Sequence, residues 1–375
     1  MSPALDQLTI KGFKSIKNLE DFKLTNLNLL IGGNGAGKSN FIDFFRLLRA
    51  MMELSLPELS KSSLTTYIQD GGGSGDFLFN GLKATQMIEV ETKFGENGYR
   101  FKLVPTADEL FSINDEATYY EKSGWKELGS GRRSPYVLSI KDGSNIYGKG
   151  HNVAWYINDS ISSWKIYHFH DTSKMAAMRL SETIDDNEYL RFDAANIAPY
   201  LLYLKNNFKS IYDEIVNTIR LVTPFFEDFD FRQQQINREK VRLVWHQKGS
   251  DYPLKPQHLS DGTLRFICLT TALLQPNPPS TIIIDEPELG LHPYAIEILA
   301  ELLESTSKRT QLIVSTQSPA LIDFFEPENI IVVNRKNGTS VFERLNEDDL
   351  ATWLNEYSLG DLWRKDVISG GPVHE

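Results

Sequence analysis

The sequence predicts an α/β protein built on a mainly parallel sheet, and three observations carry that expectation. A glycine-rich turn at Gly32–Gly37 joins an apolar strand to a helix whose apolar residues fall on helical spacing. The last third alternates short apolar runs with helical stretches, the rhythm of helices laid on a parallel sheet. Between these regions, Met87–Phe94 and Tyr99–Val104 alternate apolar and polar residues around Gly95–Gly98, which predicts a hairpin and an antiparallel lobe.

The elements follow in order. Gln7–Phe13 and Leu27–Ile31 read as strands. A helix runs from Lys38 to about Met52, with Phe41, Ile42, Phe45, Leu48 and Met52 on its apolar face, and Pro57 ends that region. Asp70–Gly75 reads as a flexible loop by composition. From Pro105 to about Gln235 the pattern weakens: strand-like pieces with glycine turns run to Tyr156, helical pieces run from about Glu188 to Leu221, and Phe229–Arg232 reads as a strand. Val241–Trp245 is a further strand. The rhythm then sharpens into a helix from Leu259 to Leu274, a strand over Thr281–Ile284, a helix over Pro293–Ser305 and a strand over Gln311–Ser315. Ile330–Val333 and Ser340–Arg344 are expected as edge strands. The predicted organisation is a domain split between residues 1–104 and 236–345, an inserted α+β or helical lid at 105–235, and a helical extension at 346–375.

Composition narrows the class. With 41% apolar and 11% aromatic residues the chain can bury a large core, which excludes a disordered chain. The single cysteine, Cys268, excludes an internal disulfide and lies in an apolar helical stretch, where packing is its expected role. No run reaches the apolar length of a membrane span, and Met1–Ile10 carries no secretion signal, so a cytoplasmic protein without a membrane partner is expected. A net charge of −11 argues against tight, non-specific nucleic-acid binding but leaves room for a local basic groove. Lys122, Lys126, Arg132 and Arg133 form one small basic cluster, read first as a solvated loop.

Gly32-Gly33-Asn34-Gly35-Ala36-Gly37-Lys38-Ser39 matches G-x-x-x-x-G-K-S/T, and Asn40 continues into the helix. Glycines let backbone N–H groups turn inward around phosphate oxygens, and the following helix presents its positive end to them. Lys38 is the candidate for the β- and γ-phosphates, and Ser39 for Mg²⁺. Some 240 residues later, the apolar strand Thr281–Ile284 runs into Asp285 and Glu286. Asp285 is the candidate Mg²⁺ carboxylate and Glu286 the candidate base that polarises an attacking water. These residues predict an ATP site with Mg²⁺ as its cation.

Leu259-Ser260-Asp261-Gly262-Thr263 opens the helix before that acidic strand. It resembles the LSGGQ signature of ABC ATPases, with Asp261 and Thr263 as departures. On its own such a segment is an ordinary serine N-cap; its place before the acidic strand favours an anion site at Ser260, Asp261 and Gly262. Glu288-Leu289-Gly290-Leu291-His292-Pro293 resembles the D-loop of that superfamily, and Gln311–Ser318 its switch strand, with Gln317 where many members place histidine. Glutamine can bond a phosphate oxygen but cannot take up a proton; a polar cap on the strand end is its competing role.

Together these motifs resemble the RecF/SMC branch of ABC-type ATPases, and within it the stand-alone OLD-like group. The resemblance covers Leu8–Met52 and Leu259 to about Phe325. It implies a P-loop ATPase head that closes as a dimer or higher assembly. Walker A of one copy would meet Ser260–Gly262 of another across ATP. Lys14 and Ser15, in Ile10-Lys11-Gly12-Phe13-Lys14-Ser15, are carried over as nucleotide-contact candidates, with a surface turn as the competing reading. The residues after Phe325 number about 50, too few for a Toprim nuclease domain, so any nuclease or effector is expected on a separate chain. DNA is a possible substrate by the same resemblance, in repair or in defence against phage. Gln69 is a candidate for the Q-loop.

His168-Phe169-His170-Asp171 has a spacing seen in metal sites, without a further Cys/His cluster in the sequence. On a strand, both histidines would share one face, with Tyr167 and Phe169 packing on the other. The aromatic segment Trp353–Trp363 is expected to dock as a final helix or to form a partner-binding patch.

Overall fold

The computed structural model describes residues 3–53, 63–141, 152–233 and 237–368. Its centre is a six-stranded sheet, β15-β14-β3-β13-β12-β8, and two antiparallel sheets flank it. Numbered along the chain, the strands are β1 (Gln7–Phe13), β2 (Ile16–Lys23), β3 (Leu27–Ile31), β4 (Ile88–Phe94) and β5 (Asn97–Pro105). Then come β6 (Phe111–Tyr120), β7 (Gly124–Gly129), β8 (Lys165–Tyr167), β9 (Glu182–Thr183) and β10 (Phe226–Gln233). The last five are β11 (Lys240–Gln247), β12 (Thr281–Asp285), β13 (Gln311–Thr316), β14 (Ile330–Lys336) and β15 (Thr339–Arg344).

In the central sheet β14, β3, β13, β12 and β8 are parallel, and only β15 runs against its neighbour. Such strands are covered on both faces, which explains their unbroken apolar runs. Alternate residues serve two cores. Leu29, Ile282, Ile284, Leu312, Val314 and Val332 face one, and Leu30, Ile283, Ile313, Ile331 and Val333 face the other. The first core is closed by helices Asp261–Leu274, Pro293–Ser307, Ile197–Asn207 and Lys209–Val222 and by the sheet β10-β11-β9. The second is closed by helix Lys38–Met52 and the antiparallel sheet β2-β1-β4-β5-β6-β7.

The two N-terminal strands, the helix after the glycine turn and the later α/β rhythm form as expected. Four local expectations change. Ile330–Val333 is not at an edge, because β14 lies between β15 and β3. The strand-like reading up to Tyr156 gives way to a helix, Val153–Ser163. Asn152 caps it by accepting from the Trp155 N–H at 2.8 Å, and Ala154, Ile157 and Ile161 share its buried face. The Asp70–Gly75 segment is ordered: Gly73 N–H bonds Ile68, Ser74 N–H bonds Glu109, and Ser74–Phe77 is a short helix. The helical pieces begin at Ile197 rather than near Glu188. Pro57 lies outside the described residues.

Residues 105–235 contribute to all three sheets, through β6 and β7, through β8, and through β9 and β10. No helix among the described residues is long and apolar enough to cross a membrane.

The aromatic C-terminal segment docks through its leucines. Helices Glu347–Leu354 and Leu359–Arg364 bury Leu350, Leu359 and Leu362, and Gly360 packs so closely that a Cβ there would stand 2.5 Å from the Pro319 carbonyl. Trp353 remains 46% exposed. Leu362→Ala is therefore expected to cost about 2–5 kcal/mol, whereas Trp353→Ala should stay within about 0.5 kcal/mol. Urea unfolding of both variants checks the contrast.

Candidate active site

The parallel strands place their C-terminal ends along one rim of the central sheet, where ligands of open α/β sheets bind. β3 delivers the glycine loop, β12 delivers Asp285 and Glu286, β13 delivers Gln317, and β8 delivers His168.

The loop opens helix Lys38–Met52, whose N-cap is Gly37 at φ 119°. That N-cap contributes no side-chain bond, and the first turn holds no acidic residue. The leading N–H groups of a helix have no partner within it. Here they are left to an anion, which is the fit a phosphate requires. A Cβ at Gly37 would stand 2.0 Å from Ser340 Oγ, so only glycine allows this close approach. The Lys38 ammonium is buried and donates to the Gly32 carbonyl and, at 3.2 Å, to that of Gly33. Burial lowers its pKa, opposed by the nearby carboxylates of Glu286, Asp285 and Glu288.

A cavity of about 170 Å³ is lined by Gly33, Asn34, Gly35, Gly37, Lys38, Ser39, Asn40, Glu286 and Gln317. The strand ends are thus brought to the glycine loop. Glu286 sits at φ 46°, an unusual conformation for a non-glycine residue, and its N–H bonds the Ser315 carbonyl at 2.9 Å. Its Oε1 accepts from Gln317 Nε2. Asp285 Oδ1 accepts from the Ser315 hydroxyl. The exposed Ser39 hydroxyl and the Asp285 carboxylate are the oxygen donors a Mg²⁺ ion prefers.

Other expected residues lie beside the cavity. Gly32 and Ala36 form the base of the loop. Ser15 Oγ joins a chain of bonds: it accepts from Asn40 Nδ2 at 2.7 Å and pairs with Ser340 Oγ at 2.7 Å, which donates to the Ala36 carbonyl at 2.6 Å. Lys14 pairs with Asp43 at 2.6 Å, with its ammonium 5.1 Å from the Phe77 ring centre. Ser260, Asp261 and Gly262 do not line this cavity. Ser260 caps helix Asp261–Leu274 by accepting from Thr263 N–H at 3.1 Å. Gln69 falls in helix Ser63–Asp70.

Comparison with known proteins agrees with this geometry. Residues 27–323 match the model of the AAA_21 family, described as "AAA domain, putative AbiEii toxin, Type IV TA system". The chain belongs to the AAA_21 family. A curated relative, the "Retron Vc95 probable ATPase" of Vibrio cholerae serotype O1 biovar El Tor, is 25% identical over 238 residues, covering 59% of this chain and 44% of that protein. The chain thus spans less than half the length of that relative. Among solved structures, an SMC head bound to the C-winged helix domain of ScpA superposes with TM-score 0.58 at 18% identity, covering 92% of this chain and 99% of that one. The Smc head of Pyrococcus furiosus with an extended coiled coil, bound to the C-terminal domain of ScpA, gives 0.57 at 15% identity, with 94% and 99% covered. The fold is that of an SMC head domain.

Three residues outside the cavity lining brace the site of this AAA_21 chain. Arg179 is buried and bonds the Thr172, Pro256 and Leu259 carbonyls and, at 2.7 Å, Asp261. Arg265 bonds the Phe169 carbonyl at 2.8 Å, the His170 carbonyl at 3.2 Å and the Leu289 carbonyl. Glu288 is buried; its Oε1 accepts from Thr316 Oγ1 at 2.6 Å and from Gln317 N–H at 3.1 Å. A charged residue inside the apolar run Leu264–Leu274 was the one sequence signal for Arg265; Glu288 opens the segment that resembles a D-loop, which gave no sign of its burial, and Arg179 had no signal.

Burial raises the Glu288 pKa, against the lowering effect of its bonds to Thr316 and Gln317. The sign follows from linkage. Above the ordinary glutamate value of 4.5 the unfolded chain has lost a proton that the folded chain still holds. Stability therefore falls as pH rises through that window, with a slope of at most about 1.4 kcal/mol per pH unit. Glu288→Gln keeps the oxygen acceptor and removes the proton, so this contribution to the slope should vanish from urea midpoints measured as pH rises above the ordinary glutamate value of 4.5.

Proposed function

We propose that this chain is an ATP-hydrolysing conformational switch, in which two copies close on Mg–ATP and part after hydrolysis. The observation that carries the reading is Glu286, held by Gln317 at the wall of the cavity that contains Lys38 and Ser39. A carboxylate so placed can take a proton from an attacking water, and the glutamine amide fixes its direction. Lys38 and the helix N-terminus bind the phosphates. Ser39 and Asp285 would hold Mg²⁺, which would supply neutralisation of the charge that develops on the phosphate.

Closure between copies is supported by the position of Ser260–Gly262. These residues open an exposed helix terminus outside the cavity of their own chain, so an ATP that touches both needs a second chain. Isologous contact of that kind gives a two-fold dimer with two composite sites. The family description and the retron relative support a defensive setting in which the ATP cycle acts on DNA or governs a separate effector or nuclease chain. A scaffold that restrains a toxic partner with slow hydrolysis uses the same residues, and the toxin–antitoxin description of the family favours weighing it. DNA-stimulated turnover would select the first reading, and slow turnover indifferent to DNA the second.

Glu286→Gln is expected to bind ATP, to lower turnover by at least about a hundredfold, and to double its mass in solution with Mg–ATP. Light scattering with and without nucleotide reads this out. Mass independent of nucleotide, together with full turnover by Ser260→Arg, would decide against composite sites.

A further inference from the structure

The histidine pair after β8 has no part in the reading above. Tyr167 pairs in register with Ile284 of the neighbouring β12, which sets the next residue, His168, beside Asp285. Alternation then does as the sequence suggests. Tyr167 and Phe169 are buried and stack at 5.3 Å, while the His168 and His170 rings lie together on the opposite face, 4.0 Å between centres.

That face converges on Asp285. His168 Nδ1 lies 3.9 Å from Asp285 Oδ2; the nitrogen is buried and has no hydrogen-bond partner among the described residues. His170 Nε2 lies 2.9 Å from the Asp285 carbonyl oxygen. An imidazole that donates one N–H to a backbone carbonyl keeps its other nitrogen as a lone-pair donor, the arrangement that commonly orients a metal-binding histidine. One ligand atom from each of His168, His170 and Asp285 can be chosen so that all three lie within 4.8 Å of one another. Around a tetrahedral ion with bonds of about 2.1 Å, ligand atoms stand about 3.4 Å apart. The ligand atoms would approach one another by up to about 1.4 Å on binding.

The backbone beneath is already fixed. His168 N–H bonds the Phe192 carbonyl at 2.9 Å, and Arg265 holds the carbonyls of both Phe169 and His170. Two imidazoles and one carboxylate, preorganised and half open to solvent, suit a borderline transition ion and not Mg²⁺, which takes oxygen ligands.

We propose that His168, His170 and Asp285 form a binding site for a divalent transition-metal ion, of the Zn²⁺ or Co²⁺ class, beside the phosphate loop. Binding itself needs no nucleotide. Its consequence rests on the proposed role of Asp285: an ion drawn to the histidines competes for the Mg²⁺ carboxylate and lowers Mg–ATP turnover.

The test is Co²⁺ titration of the full chain without nucleotide, read by visible ligand-field absorption. The expected result is saturable binding of one Co²⁺ per chain that survives millimolar Mg²⁺ and weakens at least about tenfold in His168→Ala and in His170→Ala. Binding that Mg²⁺ displaces fully, or that neither substitution weakens, overturns the site. A second measurement avoids substitution: Zn²⁺ should protect His168 of the unaltered chain from diethylpyrocarbonate, read by peptide mass spectrometry, and absence of protection overturns the proposal equally. Glu286→Gln separates the two readings, because it should bind Co²⁺ like the parent chain whatever its response to ATP.

Discussion

Four parallel strands ending at one rim are the constraint on which the rest of this molecule depends. β3, β13, β12 and β8 are covered on both faces, so their interiors are largely apolar, and the buried Asn28 of β3 sits there with its amide bonded to the Thr25 and Leu312 carbonyls. A carboxylate inside such a strand would lose its hydration without a partner. The first place the chain can carry one is where it leaves the sheet, and Asp285 and Glu286 stand there. Because neighbouring strands are parallel and in register, Ser315, Gln317 and His168 reach the same rim by the same rule.

The second layer is a set of ties that make the rim one mechanical unit. Gly262 of the signature turn approaches Gly290 of the D-loop so closely that a Cβ would stand 2.3 Å from the Gly290 carbonyl. Arg265 joins the same helix to the Leu289 carbonyl and to the histidine segment, and Glu288 joins the D-loop to the end of β13. A shift of the signature helix cannot leave the D-loop in place without opening the Arg265 bonds. Burial lowers the Arg265 pKa, and the guanidinium remains charged, so opening those bonds would strand a cation away from bulk water. The energetic preference is for the helix, D-loop and histidine segment to move together.

Much of this was legible in the sequence because it depends on local rules. The glycine loop, its helix and the acidic strand end each carry their chemistry in consecutive residues, and the expected bounds of β1, β3 and helix Lys38–Met52 coincide with those observed. What escaped depends on contacts between distant residues. The pairing of β8 with β12 joins positions over a hundred residues apart, and no pattern within three residues announces it. Nothing in the residues around Arg179 announces its role, which depends on the Thr172, Pro256 and Leu259 carbonyls that the fold brings to it. Helix Val153–Ser163 was hidden by its aromatic and β-branched residues, whose preference for strands was overridden by the Asn152 cap and the buried face.

The identity of residue 317 completes the logic of the rim. A histidine there would exchange a proton near neutral pH, so its hold on Glu286 would vary with conditions. The glutamine amide donates regardless of pH, and Glu288 anchors its backbone from beneath. Orientation of the candidate base is thus separated from protonation. Imidazoles enter the same rim from the opposite side, through His168 and His170, where they contact Asp285 rather than Glu286. In the proposed arrangement the group that would polarise water is steered by a neutral amide, and the group that would hold the cation is the one the two imidazoles approach.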